Sequence, residues 1–158
     1  MTVRFPQIAG ANLARKRLTL PQDFEGQANI LLIAFQQWQQ GEVNTWVPTV
    51  QKLEAAYPGV RYYELPTIRP LNRLVQAFIN GGMRAGIPDR LARERTITLY
   101  LDKDAFRRAL ELGDEDHIHV LLLDGEGQVR WRARGLLSAD TARALEDQLR
   151  ELVAETEE

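Results

Sequence analysis

The stretch Asn29-Ile30-Leu31-Leu32-Ile33-Ala34-Phe35 decides the fold class of this chain. It is nearly continuous in apolar residues and has the length of a strand, which is typical of a strand buried on both faces in a parallel sheet. Apolar residues then recur every three or four positions over residues 43–57, which predicts a helix with Pro48 in its first turn or at a kink. Residues 60–65 form a second predicted strand, closed by Pro66. This order of strand, helix and strand indicates an α/β protein with a parallel core.

The rest of the chain continues the alternation of helices and strands. A second helix is predicted to begin at Pro70 and to end at Gly81-Gly82, and an arginine-rich loop is predicted over residues 82–95. The apolar stripe of that helix consists of Leu71, Leu74, Val75, Phe78 and Ile79. Beyond the loop we expect a strand over residues 96–101, a short helix capped by Asp102 or Asp104 and ended by Gly113, a hairpin of strands 118–123 and 129–134, and a last helix capped by Ser138.

The two ends are predicted to be less regular. Residues 1–28 read as an irregular segment with one short strand at 17–20, and residues 154–158 read as a frayed acidic end. The hairpin adds antiparallel strands, so we expect a mixed central sheet with helices on both faces. A length of 158 residues fits one domain over residues 1–158.

Composition excludes several classes of protein. The net charge of −2 lacks the basic excess of a nucleic-acid-binding protein. The start of the chain has no apolar signal region, and no run approaches the ~20 apolar residues that span a bilayer. We therefore expect a soluble protein of the cytoplasm without a transmembrane segment. The chain has no cysteine, so it contains no thiolate for disulfide or peroxide chemistry.

The layout resembles the thioredoxin-like superfamily, in particular its peroxiredoxin and thiol-disulfide reductase branch, over nearly the whole chain. Residues 29–35 look like the strand that leads to the active-site loop, and Trp38-Gln39-Gln40-Gly41-Glu42 lies where the family has tryptophan followed by Cys-x-x-Cys. Residues 96–102 resemble the family's inserted strand, and residues 120–127 its late strand ending in Asp-x-x-Gly. The resemblance implies a thioredoxin-like three-layer sandwich.

Two departures from the family pattern bear on function. No cysteine follows Trp38, and Ile118 stands where the family has a cis-proline. A cis bond without proline costs ~3 kcal/mol, so the bond before Ile118 is expected to be trans. A smaller resemblance, over residues 121–124, 129–132 and Gly135, is to a thioredoxin-like family of assembly chaperones for the membrane sector of mitochondrial ATP synthase.

Three further groups of residues are candidates for function. In the strand 129–134, alternation places Arg130, Arg132 and Arg134 on one face, either as a docking stripe for anions or acidic partners or as a solvated edge paired with carboxylates. His117 and His119 are weak candidates for metal ligands, since a zinc site usually takes three or four protein ligands, and a hydrogen-bonded pair is the alternative. The aromatic residues near the loop line a groove or fill the core; they are Trp38, Trp46, Tyr57, Tyr62 and Tyr63.

These observations favour a redox-inactive thioredoxin-fold binding protein, an assembly or chaperone-like factor with a protein partner and no cofactor. The expected binding residues are Trp38, Gln39, Gln40, Glu42, Trp46, Ile118, Arg84, Arg130, Arg132 and Arg134. Two alternatives stay open at this point. One is an enzyme that uses His117 and His119 with carboxylates or a metal, and the other is a structural subunit of a larger complex.

Overall fold

The computed structural model describes residues 2–156, which form a seven-stranded mixed sheet with five helices on its two faces. The strands are β1 (Ile8–Asn12), β2 (Arg17–Leu20), β3 (Ala28–Ala34), β4 (Val60–Ile68), β5 (Ile97–Tyr100), β6 (His119–Asp124) and β7 (Val129–Arg134). The helices are α1 (Gln40–Ala56), α2 (Arg73–Gly86), α3 (Arg90–Arg95), α4 (Lys103–Leu110) and α5 (Ala139–Thr156).

The sheet order is β2-β1-β5-β4-β3-β6-β7. Strand β4 runs parallel to both β3 and β5, and the remaining pairs are antiparallel. The predicted fold class is therefore confirmed: an α/β sandwich with a mixed central sheet.

The sheet divides the core into two halves because side chains alternate between its faces. On one face, Leu31, Ile33 and Leu121 pack with Phe106 and Leu110 of α4. On the other face, the alternate residues of β3 and β6 pack against α1 and α5. This half of the core includes Ile30, Leu32, Val120 and Leu122 of the strands and Trp46, Val50, Leu145 and Leu149 of the helices. Strand β3 is thus buried on both faces, as its apolar run predicted.

The N-terminal segment is more regular than predicted. Strands β1 and β2 form an antiparallel hairpin, and β1 pairs with β5. Gly10 misled the prediction because glycine usually interrupts a strand. A Cβ at Gly10 would lie 2.8 Å from Leu99 Cδ2 and 2.9 Å from Ile97 Cγ2, so glycine here permits the close approach of β1 to β5.

The arginine-rich stretch predicted as a loop is largely helical. Helix α2 begins after Asn72, whose side chain accepts a hydrogen bond from the amide of Val75, and it continues through Gly81-Gly82 to Gly86. A second helix, α3, follows with Asp89 as its cap. Each glycine costs about 1 kcal/mol in a helix interior, and this cost did not end α2.

Several predicted boundaries moved by a few residues. Pro48 lies inside α1 rather than in its first turn, and β4 continues past Pro66 to Ile68. Asp102, one of the two predicted caps, caps α4. The helix ends at Leu110, followed by Glu111 with φ +57°, and not at Gly113. Helix α5 extends to Thr156, so the predicted frayed end is helical from 154 to 156, and residues 157 and 158 lie outside the described part.

Strand β7 does not keep the predicted alternation because a bulge interrupts its pairing with β6 between Leu122 and Leu123. As a result, Val129 packs into the core half under α4, whereas Trp131 and Ala133 pack into the half under α1 and α5. The prediction that three arginines share one face is therefore wrong: the bulge separates Arg130 from Arg132 and Arg134.

Candidate functional site

Gln39 closes the turn that follows β3. The turn is a short 3-10 helix, Gln37–Gln39, and the side chain of Gln39 is fully buried within it. Its Oε1 accepts hydrogen bonds from the amides of Phe35, at 2.8 Å, and Gln36, at 3.3 Å. Its Nε2 donates to the carbonyl oxygen of Glu115 at 2.5 Å. We call this set of three bonds the Gln39 clasp, since it joins the end of β3 to the loop that precedes β6.

Glu42 connects the start of α1 to the same loop. It lies in the first turn of the helix and is 8% exposed. Its Oε1 accepts a hydrogen bond from the amide of Ile118 at 2.9 Å, and its Oε2 lies 2.6 Å from His117 Nδ1, which donates to it. Ile118 has an amide proton because it is not proline, and this buried donor is satisfied by the carboxylate.

The peptide bond before Ile118 is trans, as predicted, since the Leu20–Pro21 bond is the cis one among residues 2–156. The resemblance to the thioredoxin-like superfamily places Gln39 and Glu42 at the two positions of its Cys-x-x-Cys motif. Both side chains are committed to internal hydrogen bonds rather than aimed at solvent.

Trp38 is the exposed member of this turn, with 61% of its surface accessible. Its ring meets the ring of His117 edge to face at a centroid distance of 6.4 Å. Gly135 is also a neighbour of His117, since a Cβ at Gly135 would lie 3.7 Å from His117 Nδ1, and the next residue, Leu136, is 60% exposed. We name Trp38, His117 and Leu136 the Trp38 patch, because Trp38 packs on His117 and Leu136 directly follows the neighbouring Gly135 in the chain.

The patch rests on a fixed base. Trp46 is fully buried, and its Nε1 donates to the carbonyl oxygen of Gly135 at 2.8 Å. The amide of Gly135 donates to the carbonyl oxygen of Ile118 at 2.9 Å. Gly135 has φ +81°, a left-handed conformation that favours glycine. Trp46 and Ile118, both predicted to bind a partner, are core residues that hold the patch in place.

Two other predicted binding residues make hydrogen bonds to residues outside the patch. Gln40 donates from Nε2 to Asn44 Oδ1 at 3.0 Å and to Glu64 Oε1 at 3.3 Å. Burial raises the pKa of the Glu64 carboxyl above its ordinary value, and the bond from Gln40 opposes this. Arg84 lies on α2, where its Nε donates to the carbonyl oxygen of Leu13 at 2.9 Å.

The three arginines of β7 are paired within the protein. Arg130 forms ion pairs with Asp124 and Glu155, which raise its pKa further. Arg132 donates to the carbonyl oxygen of Leu110 at 2.9 Å, at the end of α4. Arg134 pairs with Asp114 at 3.0 Å. The pKa of the Asp114 carboxyl is lowered, mainly by the hydrogen bond from the amide of Asp116 and also by Arg134. Of the two alternatives for these arginines, the structure therefore agrees with an edge strand whose arginines are paired within the protein, and not with a stripe that is free to dock anions.

The two histidines do not form a shared centre. His117 bonds to Glu42, whereas His119 is buried in β6 and its Nε2 donates to the carbonyl oxygen of Asp114 at 2.9 Å. Burial lowers the pKa of His119, because the charged ring would lose solvation in the protein interior. Within residues 2–156, no group of three or more histidine and acidic side chains is placed to hold a metal ion.

Sequence reasoning missed three members of the site. Glu115 supplies the carbonyl of the clasp, Gly135 the base of the patch, and Leu136 its second apolar group. The one available signal was a glycine directly after a strand, which often marks a special backbone conformation.

A family model described as ATP10 protein matches residues 2–152 of this sequence. The chain belongs to the ATP10 protein family. Proteins of this family are ATP synthase assembly factors, so the predicted likeness to such factors is confirmed and the chain is an assembly-factor-family protein with a thioredoxin-like fold. A search of the curated proteins finds no match to this ATP10 family member.

Solved structures resemble this ATP10 family member in fold. A putative electron transport protein from Aquifex aeolicus VF5 has a TM-score of 0.65 and 15% identity, with 96% of each chain covered. A putative thiol:disulfide interchange protein DsbE from Chlorobium tepidum has a TM-score of 0.61 and 18% identity, also with 96% of each chain covered. BsSco, a member of the Sco family of cytochrome c oxidase assembly proteins, has a TM-score of 0.60 and 11% identity over 94% of each chain. None of the helices in the described part of the ATP10 family member is long and apolar enough to cross a membrane.

Proposed function

We propose that this protein is a redox-inactive assembly factor that binds a subunit of ATP synthase transiently through the Trp38 patch. The proposal rests on the two residues that stand where the thioredoxin-like superfamily has its cysteines. Gln39 and Glu42 occupy them, and both are bonded to the backbone around the site. The site therefore keeps its shape without a nucleophile.

The patch has the physical character of a binding surface. Large aromatic side chains on a rigid base provide much of the energy in protein interfaces, because little conformational entropy is lost when they become buried. Trp38 is such a residue: it projects from a turn that the Gln39 clasp fixes. Leu136 adds a second exposed apolar group, and the ring of His117 supplies a polar contact.

The β7 arginines are not part of the proposed interface. Reversing their charge would break ion pairs and the cap of α4, so loss of binding in such a variant would not locate a surface. Variants of exposed residues in the patch avoid this difficulty.

The proposal is tested by affinity capture from detergent extracts of the native organism, with ATP synthase subunits quantified by mass spectrometry. The double variant Trp38→Ala/Leu136→Ser is compared with the wild type and with Lys52→Ala, an exposed side chain further along α1. We expect recovery of an ATP synthase subunit to fall at least tenfold in the double variant alone, with an unchanged melting temperature. Equal recovery from all three proteins would refute the patch.

Two further outcomes distinguish the alternatives. If the protein is present at fixed stoichiometry in purified, complete ATP synthase, it is a structural subunit and not a transient factor. If the purified protein reduces insulin disulfides with catalytic turnover, the proposal that it is redox-inactive is wrong.

A further inference from the structure

Helix α2 exposes Leu74, Val75 and Phe78 of its apolar stripe to solvent, whereas polar residues on another side of the helix contact the protein. None of its residues is buried. Leu74 and Phe78, one turn apart, are 84% and 83% exposed, and Val75 between them is also exposed. In a globular protein an amphipathic helix normally packs its apolar residues against the core. In α2 these three apolar residues face solvent instead.

The polar side of α2 makes the contacts that hold it. Asn80, two residues after Phe78 and so on the opposite side of the helix, accepts a hydrogen bond from the hydroxyl of Tyr100 at 2.8 Å. Arg84, one turn further, donates to the carbonyl oxygen of Leu13. Arg93 of α3 donates to the carbonyl oxygen of Arg84 at 2.8 Å and ties the end of α2 to α3. These bonds fix which side of the helix faces outward.

The segment that carries this face is basic, in contrast to the rest of the chain. Residues 69–95 contain six arginines and two acidic residues, whereas the other residues contain 14 basic and 20 acidic ones. Arg69, Arg73 and Arg90 are exposed. Arg73 precedes Leu74 and Arg90 precedes the exposed Leu91, so an arginine accompanies the apolar groups on each helix.

We propose that the outward face of α2, with Leu91 of α3, docks on an anionic phospholipid surface. An amphipathic helix with arginines beside large apolar residues binds such a surface by burying the apolar groups at the headgroup boundary, while the arginine side chains reach the phosphates. The face is a single convex helix and not a groove, which suits a deformable lipid interface. A second copy of the chain is disfavoured because two basic segments would meet. This surface is separate from the Trp38 patch, and the inference does not depend on the proposed partner.

The test is sedimentation of the full chain with vesicles of equal parts phosphatidylglycerol and phosphatidylcholine, and with vesicles of phosphatidylcholine alone. We expect binding to the anionic vesicles, at least tenfold weaker binding for Leu74→Ser/Phe78→Ser, and loss of the anionic preference for Arg69→Glu/Arg73→Glu. The matched control is Ala55→Ser/Ala56→Ser, two exposed small residues of α1, which should bind as the wild type does. Circular dichroism establishes that each variant is folded.

Three results would overturn the proposal. The first is failure of the wild type to sediment with anionic vesicles, and the second is undiminished binding by folded Leu74→Ser/Phe78→Ser. The third is a concentration-dependent dimer in vesicle-free solution that this variant abolishes, since a second copy would then cover the face. Trp38→Ala should retain vesicle binding, so failure of the Trp38 patch and failure of the lipid surface give different results.

Discussion

Replacement of Glu42 by alanine tests the central contact of the candidate site. The carboxylate accepts a hydrogen bond from the buried amide of Ile118 and one from His117, and these bonds link α1 to the loop before β6. In the Glu42→Ala variant both donors lose their acceptor. The amide of Ile118 is the more costly of the two because the residue is fully buried and water cannot replace the carboxylate.

The expected loss follows from these contacts. A hydrogen bond to a charged group contributes about 1.5–3 kcal/mol, and the amide left unpaired places the loss at Ile118 at the upper end of that range. The bond to His117, whose side chain is 42% exposed, adds less than about 1 kcal/mol because solvent screens it. The better helix propensity of alanine returns about 0.4 kcal/mol. We therefore expect the free energy of unfolding to fall by about 3 kcal/mol.

Equilibrium urea unfolding, followed by circular dichroism, measures this difference. Glu151→Ala on α5 is the matched control, since it removes an exposed glutamate from a helix and should change stability by less than about 0.5 kcal/mol. Glu42→Gln keeps an acceptor for the Ile118 amide and should lose less than half as much as Glu42→Ala. If Glu42→Ala and Glu151→Ala have the same stability, the inferred role of the carboxylate is wrong.

Three other predictions concern the framework around the site. Arg95 and Glu54 form a largely buried ion pair, so Arg95→Met should lower the unfolding free energy by about 3–5 kcal/mol because it leaves the carboxylate unpaired, and urea unfolding checks this. Gly135→Ala should cost about 1–2 kcal/mol because φ is +81° there, while Gly113→Ala, at a glycine with open space around it, serves as its control in thermal melts. Burial lowers the pKa of His119 below 6.5, so protonation favours the unfolded chain and stability should fall as the pH drops below 6.5 toward the folded-state value. The wild type should lose more stability over this range than His119→Gln, and identical pH slopes would contradict the cause given.

The core strands were the predictable part of the fold. Strand β3 needed no information beyond its run of apolar residues, because a strand covered on both faces has no polar alternation. Helix α2 shows the limit of the same reasoning. Its stripe predicted a helix correctly, but nothing in the stripe tells whether it faces a core or solvent. That choice depends on Tyr100 and Leu13, which are distant in sequence.

The candidate site was only partly accessible to sequence reasoning for a similar reason. The position of Trp38 followed from the strand before it, yet the neighbours that fix it come from residues 115–118 and 135–136. The bulge in β7 had no local signal, since the sequence 129–134 alternates regularly. Its cause is pairing with β6, and so three arginines that alternate in the sequence do not share a face.

The Gln39 clasp has a consequence for how the protein responds to its surroundings. Where a pair of cysteines occupies such a turn, the local structure differs between the oxidised and reduced forms, and it follows the balance of thiols and oxidants around it. Here the amide side chain of Gln39 joins the end of β3 to the loop at Glu115 by hydrogen bonds, which involve no electron transfer. The sequence has no cysteine, so no disulfide within it alters this turn when the ambient reduction potential changes, and under the proposed function a partner that recognises Trp38 would be bound equally in reducing and oxidising conditions.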